Sequence, residues 1–258
     1  IWNTQFNYEH IPYELNPNRM FNAGKTWGQY LSRMQKRLIK VLPENPTVVD
    51  VGSGDGHFIR QISEMLGNKG RFIGFDPNSS ERNSLGLEFF AEYFDPLQDI
   101  KKYQPDLVIM RHVLEHLETP ATFVEQLCVG AAKVKKKVFY FAETPCVDQA
   151  LKANRIVDFF YEHPSQFTKV SFKRLMELGG NVLEINQGYR GEVVSALVEL
   201  GLSGEQKQSH KSANAFLKSC SAKKKLVHNA CKKFKEDGHS IAVWGGTGKA
   251  ATFIQHYG

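Results

Sequence analysis

Thr47–Phe58 reads TVVDVGSGDGHF. The apolar or β-branched residues Thr47, Val48 and Val49 run straight into Asp50, and glycines follow at alternate positions, 52, 54 and 56. This predicts a buried parallel strand that breaks into a glycine turn, with a helix starting near His57. Glycine suits such a turn because a side chain would block the backbone from approaching a ligand, and because tight turns call on φ > 0.

Two nucleotide cofactors use a turn of this kind. The dinucleotide fingerprint is G-x-G-x-x-G, with its third glycine three residues after the second. Here the third glycine follows after two, and an acid stands two residues before the first. Pyrophosphate has no use for a negatively charged turn residue such as Asp55. The acid-flanked run Asp50, Gly52, Ser53, Gly54, Asp55 and Gly56 instead suits a ligand with a cationic, amino-acid-like end. S-adenosylmethionine is such a ligand, with S-adenosylhomocysteine as its product.

The surrounding sequence agrees. Arg71–Phe75 (RFIGF) reads as the second strand and ends at Asp76-Pro77, where an acid would hold ribose hydroxyls. Asp106–Met110 and Lys137–Ala142 read as further strands, with helical stretches at Phe58–Leu66 and Pro120–Ala132. Such alternation predicts a doubly wound α/β domain. Arg111 and His112 then fall outside a strand's carboxyl end, where open α/β sheets bind ligands. Leu85–Asp95 is open between helix and strand. With a strand at Glu92–Phe94, Asp95 would reach the adenine amino group; otherwise it is a solvent-facing loop acid. At this point the chain resembles the class I S-adenosylmethionine-dependent methyltransferases, over roughly residues 26–200. The resemblance implies a Rossmann-like fold.

Composition sets the outer bounds. With 258 residues, 41% hydrophobic and 23% charged, the chain can bury one large or two modest cores. No apolar run approaches a membrane span and no signal-peptide pattern is present. Cys128, Cys146, Cys220 and Cys231 lack metal or disulfide spacing, so a cytoplasmic protein with reduced thiols is expected. The net charge of +6 lies largely in Lys133–Lys137 and Lys223–Lys225. Solvated helix ends or attraction of an anionic substrate would each account for it. Basic and aromatic residues are not interleaved as nucleic-acid binding would require.

Along the chain, Ile1–Ala23 reads as a loop or lid carrying Tyr13. A helix N-capped by Thr26 should run through Val41, with Trp27, Tyr30, Leu31, Met34, Leu38 and Val41 on one face. His112 and His116, four apart, would share a helix face beside Glu115. The order H-V-L-E-H is not the H-E-x-x-H of a zinc hydrolase, and no metal is expected. Ala150–Phe160 is helical in period, and Pro164 should stop it, leaving Tyr161, Glu162 and His163 at its end. Ser171–Leu178 should follow as a helix capped by Ser171, then a hairpin of Val182–Asn186 and Val193–Leu200. Glu205–Glu236 reads as a lysine-rich helix, and Ile241–Trp244 as a fresh strand before Gly245-Gly246-Thr247-Gly248-Lys249. That glycine run lacks the P-loop pattern and is expected to open a second α/β unit. The expected organisation is a lid and helix (1–45), a cofactor domain (46–202) and a truncated nucleotide-sugar-binding unit (203–258). The chain reads as a piece of a longer one at both ends.

Three pieces together, FAETP at 141–145, DFFYEHPSQFT at 158–168 and IAVWGGTGKAATF at 241–253, are similar to the C-methyltransferases of deoxysugar biosynthesis. That resemblance implies methylation at C3 of a nucleotide-linked 4-keto-6-deoxysugar. Members usually carry an N-terminal zinc module, which this sequence lacks. C-methylation requires removing a proton alpha to a ketone, and histidine is the ordinary choice of base. His163 is the candidate, with Glu162 orienting it, and Tyr161, Tyr13 or His116 stabilising the enolate oxygen. Tyr161–His163 would equally serve as a polar helix terminus. O- or N-methylation and a non-catalytic cofactor-binding module remain the alternatives; a nicotinamide oxidoreductase is disfavoured by the glycine spacing and Asp50.

Overall fold

The computed structural model of the chain describes residues 1–10, 24–81, 83–84, 86–202, 204–243 and 249–257. Two compact units result, Ile1–Leu202 and Ser203–Gly258. In the first, elements follow in the order α1 (Lys25–Ile39), β1 (Thr47–Val51), α2 (His57–Met65), β2 (Arg71–Phe75), β3 (Leu87–Phe90), α3 (Asp99–Tyr103) and β4 (Leu107–Arg111). Next come α4 (Pro120–Ala131), β5 (Phe139–Pro145), α5 (Asp148–Ala153), α6 (Lys169–Glu177), β6 (Gly180–Gly188) and β7 (Val193–Leu200). The second unit contains α7 (Gly204–Glu236) and α8 (Lys249–Tyr257).

Seven strands form one sheet in the order β3-β2-β1-β4-β5-β7-β6. The first five are parallel, and β7 inserts antiparallel between β5 and β6. This is the Rossmann-like class I methyltransferase arrangement, with the order in which strands are added to the sheet reversing between β1 and β4. Side chains alternate between the faces. Val49, Val51, Val108, Met110, Tyr140 and Ala142 enter the core with Val124, Leu127, Phe172 and Met176 of α4 and α6. Val48, Ile109 and Phe141 face Trp27, Leu31, Met34 and Leu38 of α1 and Phe58, Ile59 and Ile62 of α2. Each large apolar side chain removed from water contributes about 1.5–3 kcal/mol. The same alternation assigns Asp50, Arg111 and Glu143 to the α1–α2 face, at the carboxyl ends of β1, β4 and β5.

Several expectations are corrected. Gly24, not Thr26, is the N-cap residue of α1, with φ 99°. Thr168 caps α6, and Ser171 is the reciprocal partner of that capping box. The outer strand is Leu87–Phe90 rather than Glu92–Phe94. Its backbone pairs with β2, while Asn83 Oδ1 accepts from Phe89 N at 2.6 Å; Phe94 instead packs its ring on Phe75 from a loop. The helix expected over 150–160 ends at Asn154, whose φ is 53°. Ile156 and Val157, which supplied its period, are each 83% exposed, so no apolar stripe exists to hold a longer helix. Pro164 accordingly terminates nothing and lies in a bend, its carbonyl accepting from Asn3 N at 2.8 Å. In the second unit, residues 241–243 form no strand, since none of the described residues of that unit offers a partner strand. Trp244 and the second glycine run, 245–248, lie outside the described residues, as do Tyr13 and the rest of 11–23. No described helix is long and apolar enough to cross a membrane.

Candidate active site

The glycine turn leaves β1 with its backbone anchored across the sheet, Gly52 N and Ser53 N both donating to Phe75 O, at 2.7 and 3.1 Å. A Cβ at Gly52 would stand 2.3 Å from Val113, so that glycine serves packing. Gly54 differs. It has φ 55°, and a Cβ there would meet nothing within 4 Å. Its backbone therefore faces open space, as close ligand approach requires. Beside it, Ser53 Oγ is buried without a partner among the described residues.

Asp76 Oδ2 accepts from Gly54 N at 2.9 Å and Oδ1 from Asn78 N at 2.9 Å. Each oxygen keeps a second lone pair for a further donor. The exposed Pro77 follows it at the same edge. Asp55 Oδ1 accepts from His57 N at 3.0 Å, so this acid supports the start of α2. Asp95 Oδ1 accepts from Leu97 N and Gln98 N at 2.8 and 3.1 Å, which occupies it with its own turn ahead of α3.

Asp50 is buried, and burial pushes its carboxyl up to about 7; Arg111 opposes the rise, while Asp76 and Asp55 add to it. Arg111 itself is committed. Its Nε and Nη2 donate to Glu143 Oε1 at 3.0 and 2.8 Å, and its guanidinium lies 4.3 Å over the Phe58 ring. Tyr30 donates to Glu143 Oε2. Burial opposes ionisation of Glu143, but Arg111, His112 and Tyr30 overcome it and hold its pKa well below the usual carboxylate range. The sequence reading missed both Tyr30 and Glu143 as site residues. Their signal was an acid in a strand, Glu143, that no water-facing position explains.

His112 and His116 do not share a helix face. His112 has φ 54°, and only a single 3₁₀ turn, Leu114–His116, follows. His112 Nε2 lies 3.2 Å from Glu143 Oε1, and its Nδ1 lies 3.6 Å from Glu115 Oε1. Burial alone would lower its pKa; the hydrogen bonds with the two acids raise it instead.

A second cluster closes on the first. Glu115, His116 and His163 each bring a polar atom within 4.8 Å of the others. The His116 and His163 rings meet edge to face at 4.7 Å. His116 Nδ1 donates to the Glu162 carbonyl at 2.9 Å, and Glu115 Oε2 accepts from Thr144 Oγ1 at 3.0 Å. His163 is buried, with Nδ1 lacking a partner among the described residues. Burial lowers its pKa to about 4, the nearby Glu115 charge opposes this, and His116 and His112 reinforce it. Glu115 is thus an acid whose charge acts on His163, while Glu162, the acid the sequence suggested, gives its backbone carbonyl to His116. Tyr161 is drawn elsewhere. Its hydroxyl donates to Gln5 O at 3.2 Å, accepts from Asn7 N at 3.2 Å and lies 3.1 Å from His10 Nδ1.

Residues 23–183 match the model of a family described as "Methyltransferase domain". The chain belongs to the methyltransferase domain family. No curated protein sequence matches it. Among solved structures, it is similar to a complex between the Haloferax volcanii Trm112 methyltransferase activator and a methyltransferase. The identity is 15%, over 69% of this chain and 89% of that one, with a TM-score of 0.53. An S-adenosylmethionine-dependent methyltransferase from Aquifex aeolicus aligns at 15% identity over 69% and 100% of the two chains, TM-score 0.47. Human N-acetylserotonin methyltransferase in complex with S-adenosylmethionine aligns at 14% over 67% and 55%, TM-score 0.45. The first of these likenesses supports the fold of this methyltransferase domain; the site's chemistry rests on its own residues.

Proposed function

We propose that this methyltransferase domain carries a methyl group from S-adenosylmethionine to a carbon alpha to a ketone, on a nucleotide-linked keto-deoxysugar. The observation that carries the reading is the Glu115–His116–His163 cluster at the carboxyl edge of the sheet, its Glu115 and His163 buried and its His116 half-buried. A hydroxyl or amine acceptor is already nucleophilic and has little need of a buried neutral imidazole beside a carboxylate. A carbon acid does.

The cofactor fits the residues present. Open backbone at Gly54, spare lone pairs on Asp76 and the unpartnered Ser53 Oγ line one side of the turn, and buried Asp50 stands at the end of β1. Asp50 would face the cationic amino-acid end and Asp76 the ribose. When bound, S-adenosylmethionine supplies an electrophilic methyl on a sulfonium leaving group. Asp76→Ala is expected to weaken cofactor binding by about 1–3 kcal/mol, the usual loss when a charged acceptor is removed. Calorimetric titration with S-adenosylhomocysteine measures it, and unchanged affinity would remove Asp76 from the site.

In the reaction, neutral His163 takes the C3 proton and the electron pair passes to the C4 carbonyl oxygen as an enolate. Glu115 stabilises the imidazolium so formed, and His116, its Nδ1 proton held by the Glu162 carbonyl, orients the ring edge. The substrate class is supported by the FAETP and DFFYEHPSQFT segments, which supply Glu143 and His163. The test is solvent exchange. A nucleotide-linked 4-keto-6-deoxysugar incubated in D₂O with the protein and S-adenosylhomocysteine should gain deuterium at C3. Methyl transfer to oxygen or nitrogen, without such exchange, would replace this reading.

A further inference from the structure

A second cavity, of about 410 Å³, opens between α1 and the β6–β7 turn, within the size range of small-molecule sites. Arg33 and Arg37 of α1 and Arg190 of the turn line it, with Tyr30, Tyr189 and Asn186. Arg37 pairs with Glu184 on β6. Among the described residues no acid pairs with Arg33 or Arg190, and both are exposed, so the rim of the cavity presents two guanidinium groups to an anion arriving from solvent.

The turn that delivers Arg190 is strained. Tyr189, Arg190 and Gly191 have φ of 46°, 62° and 89°, three consecutive residues in the left-handed region, two of them carrying side chains. Side-chain-bearing residues enter that region at a cost, and they persist where the surroundings hold them. Here the hold is aromatic. The Tyr189 ring meets Trp27 edge-on at 4.9 Å, and Tyr30 lies so close to Gly188 that a Cβ there would be 2.4 Å from its ring. Tyr30 in turn donates to Glu143, so one residue belongs to both the cavity and the active site.

We infer that this cavity is a diphosphate subsite in which Arg33 and Arg190 grip the phosphate oxygens. The guanidinium fork matches two phosphate oxygens at once, which one ammonium cannot do. A diphosphate presents enough oxygens for two such forks, and its charge answers the cavity's excess. The inference deepens the proposed function, and rests on it only for the identity of the molecule carrying the diphosphate.

Inorganic pyrophosphate is the probe, titrated calorimetrically against the whole chain. Binding is expected, and the double variant Arg33→Gln with Arg190→Gln should weaken it by about tenfold or more. The control removes the same charge from α1 and its C-cap residue, outside the cavity. Lys36→Gln with Lys40→Gln should leave affinity within about twofold, as screened surface charges do. Equal losses in the two double variants, or no pyrophosphate binding by the parent, would overturn the subsite. Pyrophosphate binding without deuterium exchange at C3 would keep the subsite and discard C-methylation; exchange without pyrophosphate binding would do the reverse.

Discussion

His163→Asn is expected to lower turnover by about 10²–10⁴-fold, the worth of a positioned general base, while leaving S-adenosylhomocysteine affinity unchanged. The residues proposed for the cofactor lie on β1 and just past the ends of β1 and β2, whereas His163 belongs to the segment between α5 and α6. Near-UV circular dichroism should be that of the parent. Glu115→Gln separates the base from its support. Its side chain keeps an oxygen for the Thr144 hydroxyl but loses the charge that favours the His163 imidazolium. With His116 and His112 still disfavouring that charge, the His163 pKa falls further below about 4. The acid limb of the pH–rate profile should move to lower pH and the plateau should fall, less than for His163→Asn. A profile that only scales down, with its acid limb in place, would assign Glu115 a packing role.

Asp50→Asn should raise the stability of the free protein while weakening cofactor binding. The folded state holds the Asp50 proton up to about pH 7, and the unfolded chain releases it near 3.8. Between those values the folded state binds more protons, so stability falls as pH rises through the window, and the full cost is present above about 7. The shift corresponds to as much as about 4 kcal/mol at 1.36 kcal/mol per unit. Asparagine removes the buried charge, so its melting temperature should exceed the parent's most at pH 8, with the gap closing toward pH 4. S-adenosylhomocysteine should then stabilise the parent more than the variant. A variant less stable than the parent at pH 8, or a gap that ignores pH, would refute this account. Asp50 is thus an acid whose charge the fold itself disfavours.

The central strands and the glycine turn were legible because their signals are local. TVVDV and RFIGF are runs buried on both faces, which need no partner to be recognised, and both strands occupy the residues those runs imply. Glycine spacing and Asp76 depend only on counting residues from the turn. Failures gathered where burial decides. Ile156 and Val157 have a helical apolar period, yet they face solvent, so α5 stops at a left-handed Asn154. Leu87–Phe90 and Glu92–Phe94 look alike as apolar runs, and only pairing with β2 chooses between them.

The site divides along the same line. Residue type and spacing identify the turn, the acids along it and a histidine able to serve as base, because these are properties of single stretches of chain. Which acid lies beside that histidine's ring is a matter of tertiary structure. Glu162 is its neighbour in sequence, but Glu115 comes from 48 positions upstream, on the 3₁₀ turn after β4, and shares the burial of His163. Likewise, Arg111 would read as an open cation until β5 and α1 bring Glu143 and Tyr30 to it. Burial and opposing charge set the protonation of Asp50, His112 and His163, and both come from elements distant in sequence. Those protonation states therefore belong to the folded chain.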